Sequence, residues 1–191
     1  IVDAGMPQME GYAMTFGRPA TGPEFQARMR SEIERGVNLL TGLREAYTTV
    51  PPYRRPTWTI GALVRSGRLY ELLTRGILEA EVVAPADVQR LWRQLDRYDR
   101  ESVQVEFEET VRGVLATEVR PFECKAIANY ALAARAGLAG NIDNEYTQIA
   151  ADRLQAYGEE RIAECIASEQ ANIPGLEAAR AGEFARSPAG Q

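Results

Sequence analysis

The sequence predicts an all-α protein. Apolar residues recur at intervals of three and four through most of the 191-residue chain, which is the spacing of one face of an α-helix. Prolines and glycines separate these stretches, and none of them shows the period-two alternation of a half-buried strand. We therefore expect antiparallel helix pairs joined by short turns.

Residues 1–22 are predicted to form an extended arm ahead of the helices. This stretch holds four glycines and two prolines and has no sustained helical period. Its apolar side chains are more numerous than a solvated linker normally carries, so we expect them to lie against their own domain or against a neighbouring chain. They are Met6, Met9, Tyr12, Met14 and Phe16.

The first helix is predicted from Pro23, with an apolar stripe from Phe25 to Tyr47. Pro51 and Pro52 must end it, because proline has no backbone N–H to continue the helix.

A second helix is predicted from an N-cap at Thr57 to about Glu81. Gly61 and Gly67 lie inside it, and each costs roughly 1 kcal/mol of helix propensity relative to alanine. Such a cost indicates that another helix packs closely there.

The third helical stretch begins after Pro85, and charged residues 96–101 interrupt its apolar stripe. One long bent helix over residues 86–118 is the favoured prediction, and two helices meeting near residue 100 are the alternative.

Pro121 is predicted to open a further helix that ends at a Gly140-Asn141 turn. Asp143 or Asn144 then caps a helix that completes a helical domain over residues 23–158. Residues 159–191 are predicted to form a short helix and a loosely held tail.

Composition argues against catalysis and against nucleic-acid binding. The chain has no histidine, which removes the usual general base and the commonest transition-metal ligand. No EF-hand or phosphate-binding loop is present, so we expect no catalytic residue, no metal and no cofactor. A formal charge of -5 and a pI near 5.0 are also unlike a nucleic-acid-binding surface.

Cys124 and Cys165 do not have the spacing of a metal site. Each lies in a predicted helix, so we expect two separate, small, buried side chains. A disulfide between them is the alternative.

Tyr53, Arg54 and Arg55 form a candidate interaction patch beside Trp58. Aromatic residues and arginines are enriched at the energetic centres of protein interfaces. We expect the first three residues on a loop and Trp58 buried at the start of the next helix.

Four motifs occur in a characteristic order: LREAYTTV, PTWTIGALVRSGRLYELL, ECKAIANYALAARAG and NEYTQIAADRLQ. Together, over about residues 38–160, they resemble the C-terminal region of large tetratricopeptide-repeat (TPR) proteins of the myxobacterial type. The residues that carry the resemblance are Tyr47, Val50, Trp58, Gly67, Leu69, Tyr70, Lys125, Ala126, Tyr130, Asn144, Glu145 and Thr147.

This resemblance implies a TPR-like helical repeat array with no catalytic residues. It implies a non-enzymatic scaffold that binds other proteins, in a periplasmic or outer-membrane-associated assembly of the cell envelope or of a filament. A cytoplasmic location stays open. The partners are expected to be other proteins of the assembly, or further copies of this chain.

The scaffold is expected to bind through a groove between helix pairs and through the arm. The alternative is a small-molecule or lipid-binding helical domain, or an accessory subunit of an enzyme complex, with a pocket lined by Trp58, Trp92 and Tyr130. Because the chain begins at Ile1, we expect it to be part of a longer protein. Its apolar stretches are too short to span a bilayer.

Overall fold

The computed structural model describes residues 6–48 and 55–172. Within these ranges the chain forms seven helices and no strand, which confirms the all-α prediction. The helices are α1 (Met6–Glu10), α2 (Gly22–Thr48), α3 (Pro56–Leu78), α4 (Ala86–Trp92), α5 (Arg97–Gly140), α6 (Glu145–Tyr157) and α7 (Glu159–Glu169).

The central helix is α3, whose buried residues run from Ile60 to Ile77. It packs against α2 on one side and along α5 on another, and α1 and α6 also contact it. The second half of α5 packs in addition against α6 and α7, so one apolar core connects all of these helices. Helix length varies from 5 residues in α1 to 44 in α5, and the described ranges show no repeat array.

The prediction of one helix over residues 86–118 is wrong, because α4 ends at Trp92 and α5 begins only after Asp96. The Asp96 side chain caps α5 by accepting a hydrogen bond from a backbone N–H of its first turn. The guanidinium of Arg100 donates to the carbonyls of Trp92 and Leu95, at 3.0 and 2.9 Å. The break is therefore stabilised by capping side chains and needs no glycine or proline.

Pro121 does not open a helix, as the sequence predicted, but lies inside α5. Proline cannot donate the helical hydrogen bond to the carbonyl of Thr117 and normally costs about 3 kcal/mol in a helix interior. The buried stripe of α5 nevertheless continues through it, from Leu115 and Val119 to Ala126. Packing of this stripe outweighs the local cost, so two predicted helices are one.

The start of α3 also differs from the prediction. Its N-cap position is held by Arg55, and Pro56 lies in its first turn, where the missing N–H of proline has no consequence. Thr57 is therefore not the cap.

The turn between α5 and α6 agrees with the prediction. Asn141 adopts the left-handed conformation, at a φ of 48°, and ends α5. Asn144 caps α6 in a reciprocal pair of hydrogen bonds with Thr147, at 3.1 and 2.9 Å.

Cys124 of α5 and Cys165 of α7 form a disulfide. The prediction of two separate thiols is wrong in this respect, although both side chains are buried as expected. Because α7 packs back against the second half of α5, it brings two cysteines that are 41 residues apart in sequence into bonding range.

None of the helices in the described ranges has the length and apolar character needed to cross a membrane.

Candidate functional site

The predicted arm lies against its own domain, one of the two arrangements expected for it. Its first described residues form the short helix α1, so it is not extended throughout. Met6 is partly buried, and Met9, Tyr12, Met14 and Phe16 are buried in the core. In this structure these side chains are packing residues, and the interaction role predicted for them stays a prediction.

Tyr12 seats the arm between α2 and α3. Its ring lies so close to Gly36 and Gly76 that a Cβ atom at either glycine would come within 2.6 Å of it. The hydroxyl donates a hydrogen bond to the carbonyl of Glu32 at 2.9 Å, and the guanidinium of Arg35 lies 4.9 Å from the ring centroid. Burial raises the pKa of Tyr12, with a smaller opposing effect from Arg35.

A chain of aromatic contacts leads from the arm to α4. Phe16 stacks on Phe25 of α2 with centroids 4.7 Å apart, and Phe25 lies 6.0 Å from Phe107 of α5. Trp92 meets Phe107 edge-on at 5.5 Å. The arm therefore supports the side chains at which α2, α4 and α5 come together.

An open groove, which we call the α2–α5 groove, lies beside these aromatics. It has a volume of about 710 Å³ and runs between the first half of α2 and the first half of α5. These helices pack mainly against α3 and make little contact with each other, and apolar side chains of both line the space between them. Phe25 and Val111 are buried at its base. The other apolar side chains are Met29 and Ile33 of α2, Phe107 and Val114 of α5, and Val88 of α4.

Charged side chains occur only at the edges of the α2–α5 groove. Arg30 and Glu34 of α2 and Glu118 of α5 are exposed there. An apolar floor with a mixed-charge rim has the composition of a protein interface. Such an arrangement can bury apolar surface, but it holds no nucleophile or acid–base pair on its floor.

The chain on the α4 side of the groove is unusually exposed. Neither α4 nor the part of α5 before Val111 contains a buried residue. Leu91 is 62% exposed, Tyr98 is 79% exposed and Val105 is 56% exposed. None of these three side chains lines the α2–α5 groove.

The predicted patch around residue 55 is described only in part. Arg55 is exposed, and its guanidinium lies 5.2 Å from the centroid of the Trp58 ring. Trp58 is 52% exposed, so the prediction that it is buried is wrong. It precedes the buried stripe of α3, which begins at Ile60. Tyr53 and Arg54 lie outside the described residues.

The three aromatics predicted to line a ligand pocket lie apart. Trp58 is on the surface at the start of α3, and Trp92 ends α4 against Phe107. Tyr130 is fully buried in α5, with its ring against Gly67. Neither the α2–α5 groove, nor the cleft described below, nor the third cavity, beside residues 14–19, is lined by all three.

A partly buried polar arrangement, the Glu71 cluster, lies between α3, α5 and α6. The Glu71 carboxylate accepts hydrogen bonds from Arg68 at 3.2 Å and from the Tyr157 hydroxyl at 3.1 Å, and Arg153 lies 3.7 Å away. Tyr130 is close to this carboxylate but makes no hydrogen bond among the described residues. Burial, reinforced by the negative charge of Glu71, raises the pKa of Tyr130 and of Tyr157.

The Glu71 cluster was not predicted from the sequence. The available signal was a charged residue within the apolar run from Leu69 to Leu73 of α3, where a partly buried carboxylate requires partners from other helices. Elsewhere in the described ranges, no group of three or more acidic or cysteine side chains is placed to hold a metal ion.

Comparison of the chain with models of known protein families, with curated proteins and with solved structures found no match. The resemblance to TPR proteins therefore stays an expectation, and the geometry of the chain itself carries the functional argument.

Proposed function

We propose that this chain is a non-enzymatic protein-interaction module that binds an amphipathic helix of a partner protein in the α2–α5 groove. The observation that carries the proposal is the apolar floor of that groove, which two helices contribute and neither covers. This role is the one implied by the TPR-like scaffold interpretation, and it places the binding surface in the groove rather than on the arm.

The dimensions of the α2–α5 groove fit a helix. Its lining extends from Gly22 to Glu34 on α2 and from Phe107 to Glu118 on α5, which is about 17 Å of each helix at the usual rise. Three turns of a partner helix cover that length. A helix with apolar residues at i, i+3, i+4 and i+7 would bury one face on the floor and leave its polar face at the charged rim.

Part of the groove floor is preorganised. Phe16 stacks on Phe25, and Phe25 in turn contacts Phe107 in a tilted arrangement, so both floor residues are held before any partner arrives. A rigid apolar floor loses little conformational entropy on binding, which favours affinity.

We propose further that the chain works in an envelope assembly outside the cytoplasm. The Cys124–Cys165 disulfide supports this location, because such bonds persist in oxidising compartments such as the bacterial periplasm. Thiol alkylation of the chain, expressed with and without an export signal, tests it. Both cysteines are expected to resist alkylation only when the chain is exported. Complete oxidation of the two cysteines in the cytoplasm would contradict the argument.

A pair of valines in α5 allows a direct test of the groove. Val114 lines the groove and is partly exposed, whereas Val105 is exposed but does not line it. Nine residues separate the two, so they point about 180° apart around the helix. Val114→Asp therefore places a charge in the groove, and Val105→Asp places the same charge on the opposite face.

The measurement uses displayed amphipathic helices of about 12 residues, selected on the wild-type protein and then measured by fluorescence anisotropy. Val114→Asp is expected to weaken binding by about tenfold or more, and Val105→Asp to leave it unchanged. Equal melting temperatures of the two variants check the fold.

Failure to select any helix that binds, or equal binding of the selected helix by Val114→Asp and Val105→Asp, would contradict the proposal. Light scattering distinguishes the other occupant: a dimer that Val114→Asp converts to a monomer would mean that a second copy, rather than a partner protein, fills the groove.

A further inference from the structure

A second cavity, which we call the α3–α7 cleft, lies away from the α2–α5 groove. It has a volume of about 650 Å³ and is lined by the end of α2, the first half of α3, the middle of α5 and the end of α7. Its lining differs from that of the groove, because charged and hydrogen-bonding side chains face it from all four helices. The volume is within the range of small-molecule sites.

One wall of the α3–α7 cleft carries a buried carboxylate with a free acceptor. Glu169, the last residue of α7, is only 6% exposed. Its Oε2 atom is buried and accepts no hydrogen bond from any described residue. A buried carboxylate oxygen without a donor is unfavourable, and buried polar groups in native proteins nearly always have a partner. Because Glu169 is among the residues that line the cleft, a ligand held there is suited to supply the missing donor.

The lining of the α3–α7 cleft also includes two positive groups. Lys125 of α5 is the single lysine of a chain that otherwise uses arginine. Within the described ranges its ammonium group has neither a hydrogen-bond acceptor nor an ion-pair partner. Arg44 of α2 donates a hydrogen bond to the Tyr70 hydroxyl at 2.5 Å and pairs with no carboxylate in those ranges. Two cations and one anion thus face the same cavity without neutralising one another.

Neutral groups complete the α3–α7 cleft. Ser66 and Asn129 add hydrogen-bonding capacity, and the side chains of Leu63 and Leu132 give it an apolar wall. The Asn129 amide nitrogen donates to the carbonyl of Lys125 at 2.7 Å, which orients its oxygen as a remaining acceptor.

We propose that the α3–α7 cleft binds a small zwitterion of the free amino acid type. The ligand carboxylate would lie between Lys125 and Arg44, and its ammonium group would donate to Glu169. This arrangement supplies a donor to the buried carboxylate and a counter-charge to the two cations. The apolar wall would contact the ligand side chain.

Isothermal titration of the full chain with the twenty L-amino acids tests the proposal. At least one amino acid is expected to bind with 1:1 stoichiometry and a dissociation constant below about 10 mM. Acetate alone and methylammonium alone are expected to bind at least about tenfold more weakly. Glu169→Gln and Lys125→Met are each expected to weaken binding of the amino acid by about tenfold, because each removes one of the charges that recognise it. Glu160→Gln, on an exposed position of the same helix α7, is the matched control and should bind like wild type.

Stability provides a readout that does not depend on the ligand. Because Glu169 has an unsatisfied oxygen, Glu169→Gln is expected to leave the melting temperature unchanged or to raise it. The absence of binding by every amino acid, wild-type affinity in both charge variants, or a clearly lowered melting temperature of Glu169→Gln would each overturn the proposal.

Discussion

Tyr130 and Tyr157 place two phenol groups next to the same carboxylate in different states. The Tyr157 hydroxyl donates to Glu71, whereas the Tyr130 hydroxyl is buried without a partner in the described ranges. Both residues are tyrosines, so the difference between their hydroxyl groups arises only from where α5 and α6 place them. The free energy of a hydroxyl depends on this difference, because the unfolded chain bonds both groups to water.

Replacing each of these tyrosines by phenylalanine is therefore expected to have opposite effects. Tyr130→Phe should keep or raise the free energy of unfolding by up to about 1 kcal/mol, since it removes an unsatisfied buried hydroxyl. Tyr157→Phe should lower it by about 1.5–3 kcal/mol, because it removes a hydrogen bond to a charged group. Urea unfolding of the two variants measures both values, and a loss of similar size in each would contradict this reading of the Glu71 cluster.

At the scale of single helices, α2 shows how one residue type has two roles. Gly36 is covered by Tyr12 and by Leu73, whose atoms would come within 2.6 Å of an added Cβ. Gly42 lies less than two turns later in the same helix with nothing within 4 Å. The first glycine admits the arm, and the second only weakens the helix.

The matched substitutions Gly36→Ala and Gly42→Ala separate these roles. Gly36→Ala is expected to destabilise the protein by about 1–3 kcal/mol through overpacking, and Gly42→Ala to stabilise it by up to about 1 kcal/mol. Chymotryptic cleavage after Phe16, which is buried while the arm is docked, should accelerate only in Gly36→Ala. Unchanged cleavage and stability in that variant would show that Tyr12 does not hold the arm.

Helix α7 is held to α5 by both packing and the disulfide. The bond closes a loop with a sequence separation of 41 residues, for which chain entropy predicts a stabilisation of about 4 kcal/mol. Reduction is therefore expected to lower the free energy of unfolding by about 2–5 kcal/mol. Urea unfolding with and without reductant measures the difference, and the double variant Cys124→Ala/Cys165→Ala, which should not respond to reductant, is the control. Equal unfolding of oxidised and reduced protein would mean that packing alone holds α7.

Across the elements, periodicity predicted where helices exist, and tertiary packing decided where they end. The apolar stripes of α2, α3 and α6 were readable because each lies on one face of one helix. Pro121 misled the prediction, because the penalty of a proline is local while the packing that offsets it comes from α3. The break after Trp92 was also hidden, since it depends on the contact that Arg100 makes across the turn.

At the scale of the whole molecule, the sites were less predictable than the fold. The apolar stripes of α2 and α5 were recognised, but a stripe does not show whether a neighbour covers it, and the α2–α5 groove exists because α3 separates those helices. The α3–α7 cleft joins residues from four helices, from Arg44 to Glu169. No local pattern marks such a set, although the single lysine among many arginines was visible in the sequence.

The composition predicts an unusual pH dependence for the whole molecule. The chain has no histidine, and both of its cysteines are in the disulfide and do not titrate. No side chain of ordinary pKa therefore changes charge between about pH 6 and 9. The free energy of unfolding is expected to vary by less than about 0.5 kcal/mol across this range, at constant ionic strength.

Stability should then fall steeply on the alkaline side. Burial raises the pKa of Tyr12, Tyr47, Tyr130 and Tyr157 above the unperturbed value of 10.0. The folded state keeps these protons to higher pH than the unfolded state does, so their contribution is complete below about pH 10 and is lost as pH rises beyond it. Urea unfolding followed by circular dichroism from pH 6 to 11 measures the profile, and Tyr130→Phe should reduce the alkaline slope by up to about 1.4 kcal/mol per pH unit. The flat profile near neutral pH follows from the absence of histidine and of titrating cysteines, and the alkaline slope follows from the burial of tyrosines. A clear pH dependence between pH 6 and 9, or an alkaline slope that Tyr130→Phe leaves unchanged, would therefore contradict this account.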